Sequence, residues 1–277
     1  MGGIVWLASY PKSGNTWLRA FLHNLLRNPA RPMSINELDK FCLGDSQAPW
    51  YVQESGGRSP AGMTKEELAP LRTRVHAAFT RAHPDSVFAK THNILGEFAG
   101  VPLVSLQYTV AAIYVLRNPL DVALSLADHF GLGIDDAIAF MANPQAGTEN
   151  SEANAFEFYG TWSQHVRSWT TAESDSLIWL RYEDMLDKPR QTFARIAGFL
   201  GLKPPRDRLD KAIRFSSFKV LRGQEDKAGF RERSQHSAHF FRVGQAGQWR
   251  RVLTQAQVDA VVAAHGEQMA RFGYLPK

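Results

Sequence analysis

The chain has 277 residues, 44% hydrophobic and 21% charged, with a single cysteine, Cys42. That is ordinary globular composition with room for a sizeable core; it excludes a disulfide scaffold, a disordered or collagen-like chain and a cysteine-based zinc site. The net charge of +5 is uneven: residues 203–251 carry 13 Lys and Arg against five Asp and Glu, a basic region suited to a polyanionic ligand, although no nucleic-acid-binding motif accompanies it.

Residues 4–8 (Ile-Val-Trp-Leu-Ala) form a short apolar run that reads as a buried strand. Residues 9–17 follow as Ser-Tyr-Pro-Lys-Ser-Gly-Asn-Thr-Trp, a turn rich in potential anion ligands. A helix begins at once, with Trp17, Leu18, Phe21, Leu22, Leu25 and Leu26 on one stripe. A tight turn running into a helix N-terminus, with one lysine, is an anion cradle. The lysine precedes the glycine, and the order Gly-x-x-x-x-Gly-Lys-Ser/Thr is absent from the chain, which argues against a magnesium-bound triphosphate.

Residues 29–85 mix Pro, Gly, Ser and both charges, with a helix expected over 65–81. Strands are expected at 86–90 and 111–116, the second apolar throughout as befits a strand buried on both faces. Pro119 suits a first helical position, and its helix should run to about Phe130. Residues 131–150 read as a loop containing a short helix. Phe156, Tyr159, Trp162, Val166 and Trp169 are spaced three, three, four and three apart, predicting one amphipathic helix from 156 onward. A fourth strand is expected at 177–180, and then a helix closed by Gly201. Residues 203–248 have weak periodicity and read as a mobile cover. Thr254 should cap a last helix to about Phe272. No signal peptide is evident at the N-terminus, and Trp6 stands where a myristoylation motif needs Ser or Thr. The charge-free stretch 98–116 is too polar for a membrane span. A cytoplasmic protein with no membrane and no nucleic-acid partner is expected.

Strands alternating with helices imply an α/β fold with a central parallel sheet flanked by helices. In such sheets ligands bind at the carboxyl ends of the strands. Four chemically notable groups fall there: the 9–17 turn, Lys90-Thr91-His92, Arg117-Asn118 and Tyr182.

The 9–17 segment resembles the 5′-phosphosulfate loop of sulfotransferases that use PAPS (3′-phosphoadenosine 5′-phosphosulfate). Residues 114–125, Tyr-Val-Leu-Arg-Asn-Pro-Leu-Asp-Val-Ala-Leu-Ser, resemble that family's 3′-phosphate motif, with Arg117 and Ser125 at its spacing. Tyr182-Glu183-Asp184-Met185 resembles the segment whose tyrosine meets adenine, and residues 241–249 resemble the late Arg-Lys-Gly-x-x-Gly-x-Trp loop. The four matches run in family order over nearly the whole chain.

The resemblance implies a single P-loop-like sulfotransferase domain over 1–277, with acceptor-side segments near 40–85 and 128–150 and a cofactor-covering loop near 220–249. It implies PAPS, with PAP as product and no metal, and a small-molecule or natural-product hydroxyl acceptor. Lys12, Ser13, Gly14, Asn15 and Thr16 would hold the phosphosulfate. Arg117, Ser125, Arg242, Val243 and Gly244 would meet the 3′-phosphate, and Trp17, Tyr182, Ser216 and Phe218 the adenine. His92, at the end of a Lys-Thr-His segment, is the candidate base, with Lys12, Lys90 and Ser125 as further catalytic candidates. Val243 stands where the family has lysine, and Gln248 where an acidic residue is common. The segment after Trp249 only partly matches the family's dimer motif, so a homodimer is compatible with it but not specified. Phe41, Trp50, Tyr51, Phe130, Phe230 and Phe240 suit a hydrophobic acceptor or ordinary core. The opening segment also resembles bacterial enzymes that sulfate glycopeptides, which adds a glycopeptide or glycan acceptor. The alternatives are a small-molecule P-loop kinase and a nucleotide-binding module without catalysis.

Overall fold

Residue 4 onward enters a strand whose every side chain is buried, β1 (Ile4–Ser9). A computed structural model describes residues 2–83 and 85–276. The further strands are β2 (Leu43–Gly44), β3 (Val87–Thr91), β4 (Glu97–Phe98), β5 (Val101–Pro102), β6 (Thr109–Leu116) and β7 (Leu177–Arg181). β4 and β5 form a small antiparallel pair. The other five make a parallel sheet in the order β2-β3-β1-β6-β7, with Ile4 opposite Val87 and Leu43 opposite Ala89. The fold class is therefore the expected one. The chain leaves β1 toward β3 on one side, and β6 leads to β7 on the other. The connections diverge between β1 and β6, which is where doubly wound sheets place their ligands.

The chain divides into two compact units, one of residues 1–10, 42–114 and 140–179, the other of residues 11–41, 115–139 and 180–277. Each is assembled from three stretches, so no single cut separates them.

The first unit holds most of the sheet. Its long helix, Lys65–Ala82, starts in a Thr64–Glu67 capping box. The helix expected from residue 156 begins instead at Trp162 and runs to Thr170. Gly160 has a φ of 63°, and Thr161 caps the helix through Gln164. The amides of Phe156 and Glu157 are satisfied by Asn150 and Thr148 side chains. Phe156 and Tyr159 keep their apolar spacing because they are buried, not because they are helical.

The second unit holds the helices Asn15–Arg27, Pro119–Phe130, Pro189–Phe199 and Gln255–Arg271. The last of these is capped by Thr254 as expected. The basic stretch expected to be a mobile cover contains two helices, Arg206–Phe215 and Phe218–Ala228. Their apolar faces are narrow and their exposed faces carry many charges, which hides the period in the sequence. Residues 229–248 form neither helix nor strand. Among the described residues no helix is long and apolar enough to cross a membrane.

Candidate active site

In the second unit the turn after β1 is built for an anion. Lys12 has a φ of 65° and Gly14 one of 107°. A Cβ on Gly14 would stand 2.7 Å from the Tyr182 ring, so both conformation and contact require glycine. Gly14 is the N-cap of the helix Asn15–Arg27, with no side-chain cap and no acidic residue in the first turn. The amides of that terminus lack an internal acceptor. Ser13 Oγ and Trp17 Nε1 are buried, with no hydrogen-bond partner among the described residues.

Arg117, at the end of β6, closes the other side of this turn. Its Nη1 donates to the Lys12 carbonyl at 3.0 Å, and its guanidinium lies 4.5 Å from the Tyr182 ring centroid. Its Nε is buried without a partner among the described residues. Trp17 packs edge-on against Tyr182 at 5.7 Å. Glu183 accepts from the Asn118 amide and the Tyr274 hydroxyl, which fixes Tyr182 beside Arg117; burial raises the Glu183 pKa. Thus Lys12, Ser13, Gly14, Trp17, Arg117 and Tyr182 come together. Buried orphan donors around a cationic turn are what a bound polyanion would satisfy.

Residues 229–249 are tied down by carboxylates. Asp121 accepts from the Gly247 amide at 2.6 Å and the Trp249 amide at 3.1 Å. Glu225 accepts from the amides of Phe240 and Phe241, and Asp128 from the Ser237 hydroxyl. Arg19 makes a two-point bond to Glu232 and also donates to Thr16. Asp121 thereby links the Arg242 loop to the helix that carries Ser125, which is half-buried there. Arg242 and Val243 are exposed. Gly244, at a φ of 66°, lies directly against the Phe218 ring. Ser216 donates to the Ala212 carbonyl of its own helix, leaving only its lone pairs for a ligand. Lys12 Nζ sits 4.0 Å from the Phe240 ring centroid and 3.5 Å from His129 Nδ1.

The first unit holds His92, just past β3. Its Nδ1 lies 2.8 Å from the Ser9 carbonyl and 3.2 Å from the Ser9 hydroxyl. A carbonyl only accepts, so Nδ1 carries the proton and the neutral ring keeps its lone pair on Nε2. The same logic fixes His165. Its Nε2 donates to the His92 carbonyl at 3.0 Å, and its Nδ1 accepts from the Tyr114 hydroxyl at 2.9 Å. Burial lowers the His165 pKa to about 3, so it is neutral. Lys90 is half-buried; its charge opposes the rise that burial imposes on the Glu157 carboxyl, which accepts from the Tyr159 hydroxyl.

The aromatic residues proposed for an acceptor are largely core. Tyr51 and Phe230 are buried, Phe41 stacks on His23, and Trp50 packs on Phe79. The sequence reading missed His129 and Phe240 at Lys12, and Ser9 and His165 at His92. Ser9 opens the 9–17 motif but carries no role in it, the others stand outside the motifs, and each is joined to its partner only by folding. Among the described residues no three or more His, Cys, Asp or Glu are placed to hold a metal ion.

A family model described as "Sulfotransferase domain" matches residues 4–273. Dog sulfotransferase 1A1 is 27% identical over 96% of this chain and 83% of its own length. Guinea-pig 3-alpha-hydroxysteroid sulfotransferase is 26% identical over 97% and 84%. A crystal structure of mouse sulfotransferase SULT7A1 complexed with PAP shares the fold, with a TM-score of 0.65 and 20% identity over 96% of this chain and 84% of its own. Retinol dehydratase in complex with androsterone and inactive cofactor PAP gives a TM-score of 0.64 and 19% identity over 96% and 80%.

Proposed function

The chain belongs to the sulfotransferase domain family, and from that premise we propose that it moves the sulfuryl group of PAPS, without a metal, to a phenol or alcohol hydroxyl on a small-molecule or natural-product acceptor. The carrying observation is the buried Arg117 guanidinium, bonded to the Lys12 carbonyl, with its Nε and the Ser13 hydroxyl of that turn both lacking a partner among the described residues. A 3′-phosphorylated nucleotide carries separate anionic ends, and the reading assigns one to this turn and the other to the Arg117–Ser125 segment.

In this reading Lys12, Ser13, Gly14, Asn15 and Thr16 hold the phosphosulfate. Arg117 and Ser125 hold the 3′-phosphate, joined by Arg242, Val243 and Gly244 of the late loop. Trp17 and Tyr182, with Ser216 and Phe218, flank the adenine. When bound, the nucleotide supplies an activated sulfuryl group on a good leaving group. Lys12 neutralises charge developing on the leaving oxygen. His92 accepts the acceptor's hydroxyl proton at Nε2, the nitrogen left basic by the Ser9 contact. A base so placed contributes on the order of 10²–10⁴-fold in rate. Lys90 adds positive charge at the same strand end. Lys12 and His92 supply the charge neutralisation and the proton acceptance in this reading, so the proposed transfer calls for no metal, and the enzyme is read as cytoplasmic.

The test is incubation with PAPS and a panel of a simple phenol, an alcohol and a phenolic glycopeptide, with and without a chelator. Chelator-insensitive sulfate transfer is expected. Transfer of phosphate from ATP and magnesium, with none from PAPS, would overturn it. His92→Ala should abolish turnover while PAP binding by calorimetry stays unchanged.

A further inference from the structure

The first unit contains a buried ionic cluster centred on Asp45, far from the cofactor motifs in the sequence. We propose that Asp45 is the positioning residue for His92, an inference that rests on His92 being the base.

Asp45 directly follows β2, a strand of two residues. Its amide donates to the Lys90 carbonyl at 3.0 Å. Its carboxylate is fully buried and receives four side-chain donors. Oδ2 accepts from Thr91 Oγ1 at 2.9 Å, Asn93 Nδ2 at 2.6 Å and Arg72 Nη1 at 3.0 Å. Oδ1 pairs with His76 Nε2 at 2.7 Å. A carboxylate offers about four acceptor sites, and four donors converge on this one, three of them on Oδ2.

Two of the four donors, Thr91 and Asn93, flank His92 in the chain. The Lys90 carbonyl adds the residue before them. Thr91 Oγ1 also accepts from the Asn93 amide at 3.1 Å, bending the backbone around His92. On its far side Asn93 accepts from the Phe158 amide, and its carbonyl accepts from Trp169 Nε1. His165 holds the His92 carbonyl. The backbone of residues 90–93 is thus held from several sides, and two of its anchors, the side chains of Thr91 and Asn93, end on one carboxylate. That fixed backbone aims Nδ1 of His92 at Ser9.

Stability alone does not explain a buried ion pair, because apolar residues of similar volume serve a core as well or better. Nor is the Ser105–His76–Asp45 array a hydrolytic triad. Ser105 lies 2.8 Å from His76 Nδ1, yet all three residues are buried. Arg72 and His76 serve to balance and orient the carboxylate. Arg72 also donates to the Phe156 carbonyl at 2.6 Å.

The test compares Thr91→Val, Thr91→Ser and Asp45→Asn with His92→Ala, each in the full chain, using PAPS and the best phenol of the panel. Thr91→Val keeps the shape and removes one arm. Its kcat should fall on the order of 10–100-fold, as for small misplacements of a reacting group, with the KM for PAPS nearly unchanged. Thr91→Ser restores the hydroxyl and should restore kcat. Nitrogen-15 NMR of the histidine rings should show the Nδ1–H form of His92 in the native protein and in Thr91→Ser, and a mixed population in Thr91→Val. A merely structural role would lower the melting temperature and leave kcat of the folded protein and the tautomer untouched. Asp45→Asn should lose kcat at least as severely; where it fails to fold, the Thr91 pair decides. Native kcat and tautomer in Thr91→Val, with His92→Ala dead, overturn the role of Asp45 and spare that of His92. Full turnover in His92→Ala overturns both.

Discussion

Arg117→Lys separates the two anion sites quantitatively. The native guanidinium spends Nη1 on the Lys12 carbonyl and lies on Tyr182, with Nε buried and without a partner among the described residues. Lysine keeps the charge but loses the planar fork. One loss, the bond to Lys12, loosens the turn and weakens every nucleotide, by about 0.5–1.5 kcal/mol for a typical net hydrogen bond. The other, one of two parallel charge-assisted bonds to a phosphate, falls only on ligands with a 3′-phosphate and is worth about 1.5–3 kcal/mol. At about 1.4 kcal/mol per tenfold, calorimetry should find 5′-AMP binding weakened by up to about tenfold. Adenosine 3′,5′-bisphosphate should lose roughly a further 10–100-fold. The ratio of the two losses is the quantity of interest, because disturbance of the turn cancels from it. Equal losses for both nucleotides would refute Arg117 as the 3′-phosphate ligand.

Gly14→Ala should cost about 1–3 kcal/mol of stability from the left-handed backbone alone and should abolish PAP binding, because the methyl meets Tyr182; chemical denaturation and calorimetry check both. Asp121→Asn should release one end of the 241–249 loop, read as faster proteolysis within 229–248 and PAP binding weaker by roughly tenfold, the worth of one charge-assisted bond. Burial lowers His165 to about 3 and His265 to about 4. Both are neutral when folded and take up protons on unfolding below about pH 6.5, so their stabilisation is complete above that value and is lost as pH falls. At pH 5 each should cost about 2 kcal/mol relative to pH 8. Asp45, whose pKa is lowered through Arg72 and His76 against the opposing effect of burial, adds acid sensitivity only below about pH 4. Thermal unfolding at the two pH values should show the loss, and His165→Gln should shrink it; a flat profile from pH 8 to 5 would contradict it.

The fold was legible wherever local chemistry and burial agree. β1, β3, β6 and β7, and the helices after the 9–17 turn and after Asn118, follow from apolar runs ended by turn or cap residues. The helix expected from residue 156 failed because Phe156 and Tyr159 share its spacing by burial alone. Gly160 and the Thr161 cap were the signals that mark its true start. β2 was invisible because two residues carry no period, yet it delivers Asp45. The anion turn was legible because its residues are contiguous. The surroundings of His92 were not, because Ser9 and His165 meet it, and Asp45 meets its neighbours Thr91 and Asn93, only after folding.

The basic excess of residues 203–251 reads differently in three dimensions. Arg208 donates to the Leu25 and Leu26 carbonyls. Arg222 bonds to Asp226 and to the Phe241 carbonyl. Arg231 pairs with Asp39, and Arg233 donates to the Ala238 carbonyl. These arginines hold helices and loops in place, so net charge overstates the positive field left for a ligand. What the region would offer to the proposed nucleotide is narrower: the Arg242–Gly244 corner, in a loop held by Asp121 and closed against Phe218. Val243 is exposed at that corner. Val243→Lys should therefore add a cation at an exposed position, tightening adenosine 3′,5′-bisphosphate by several-fold and 5′-AMP hardly at all. The surface position sets the size, since an exposed charge pair is worth up to about 1 kcal/mol. Equal tightening of both nucleotides would place residue 243 away from the 3′-phosphate.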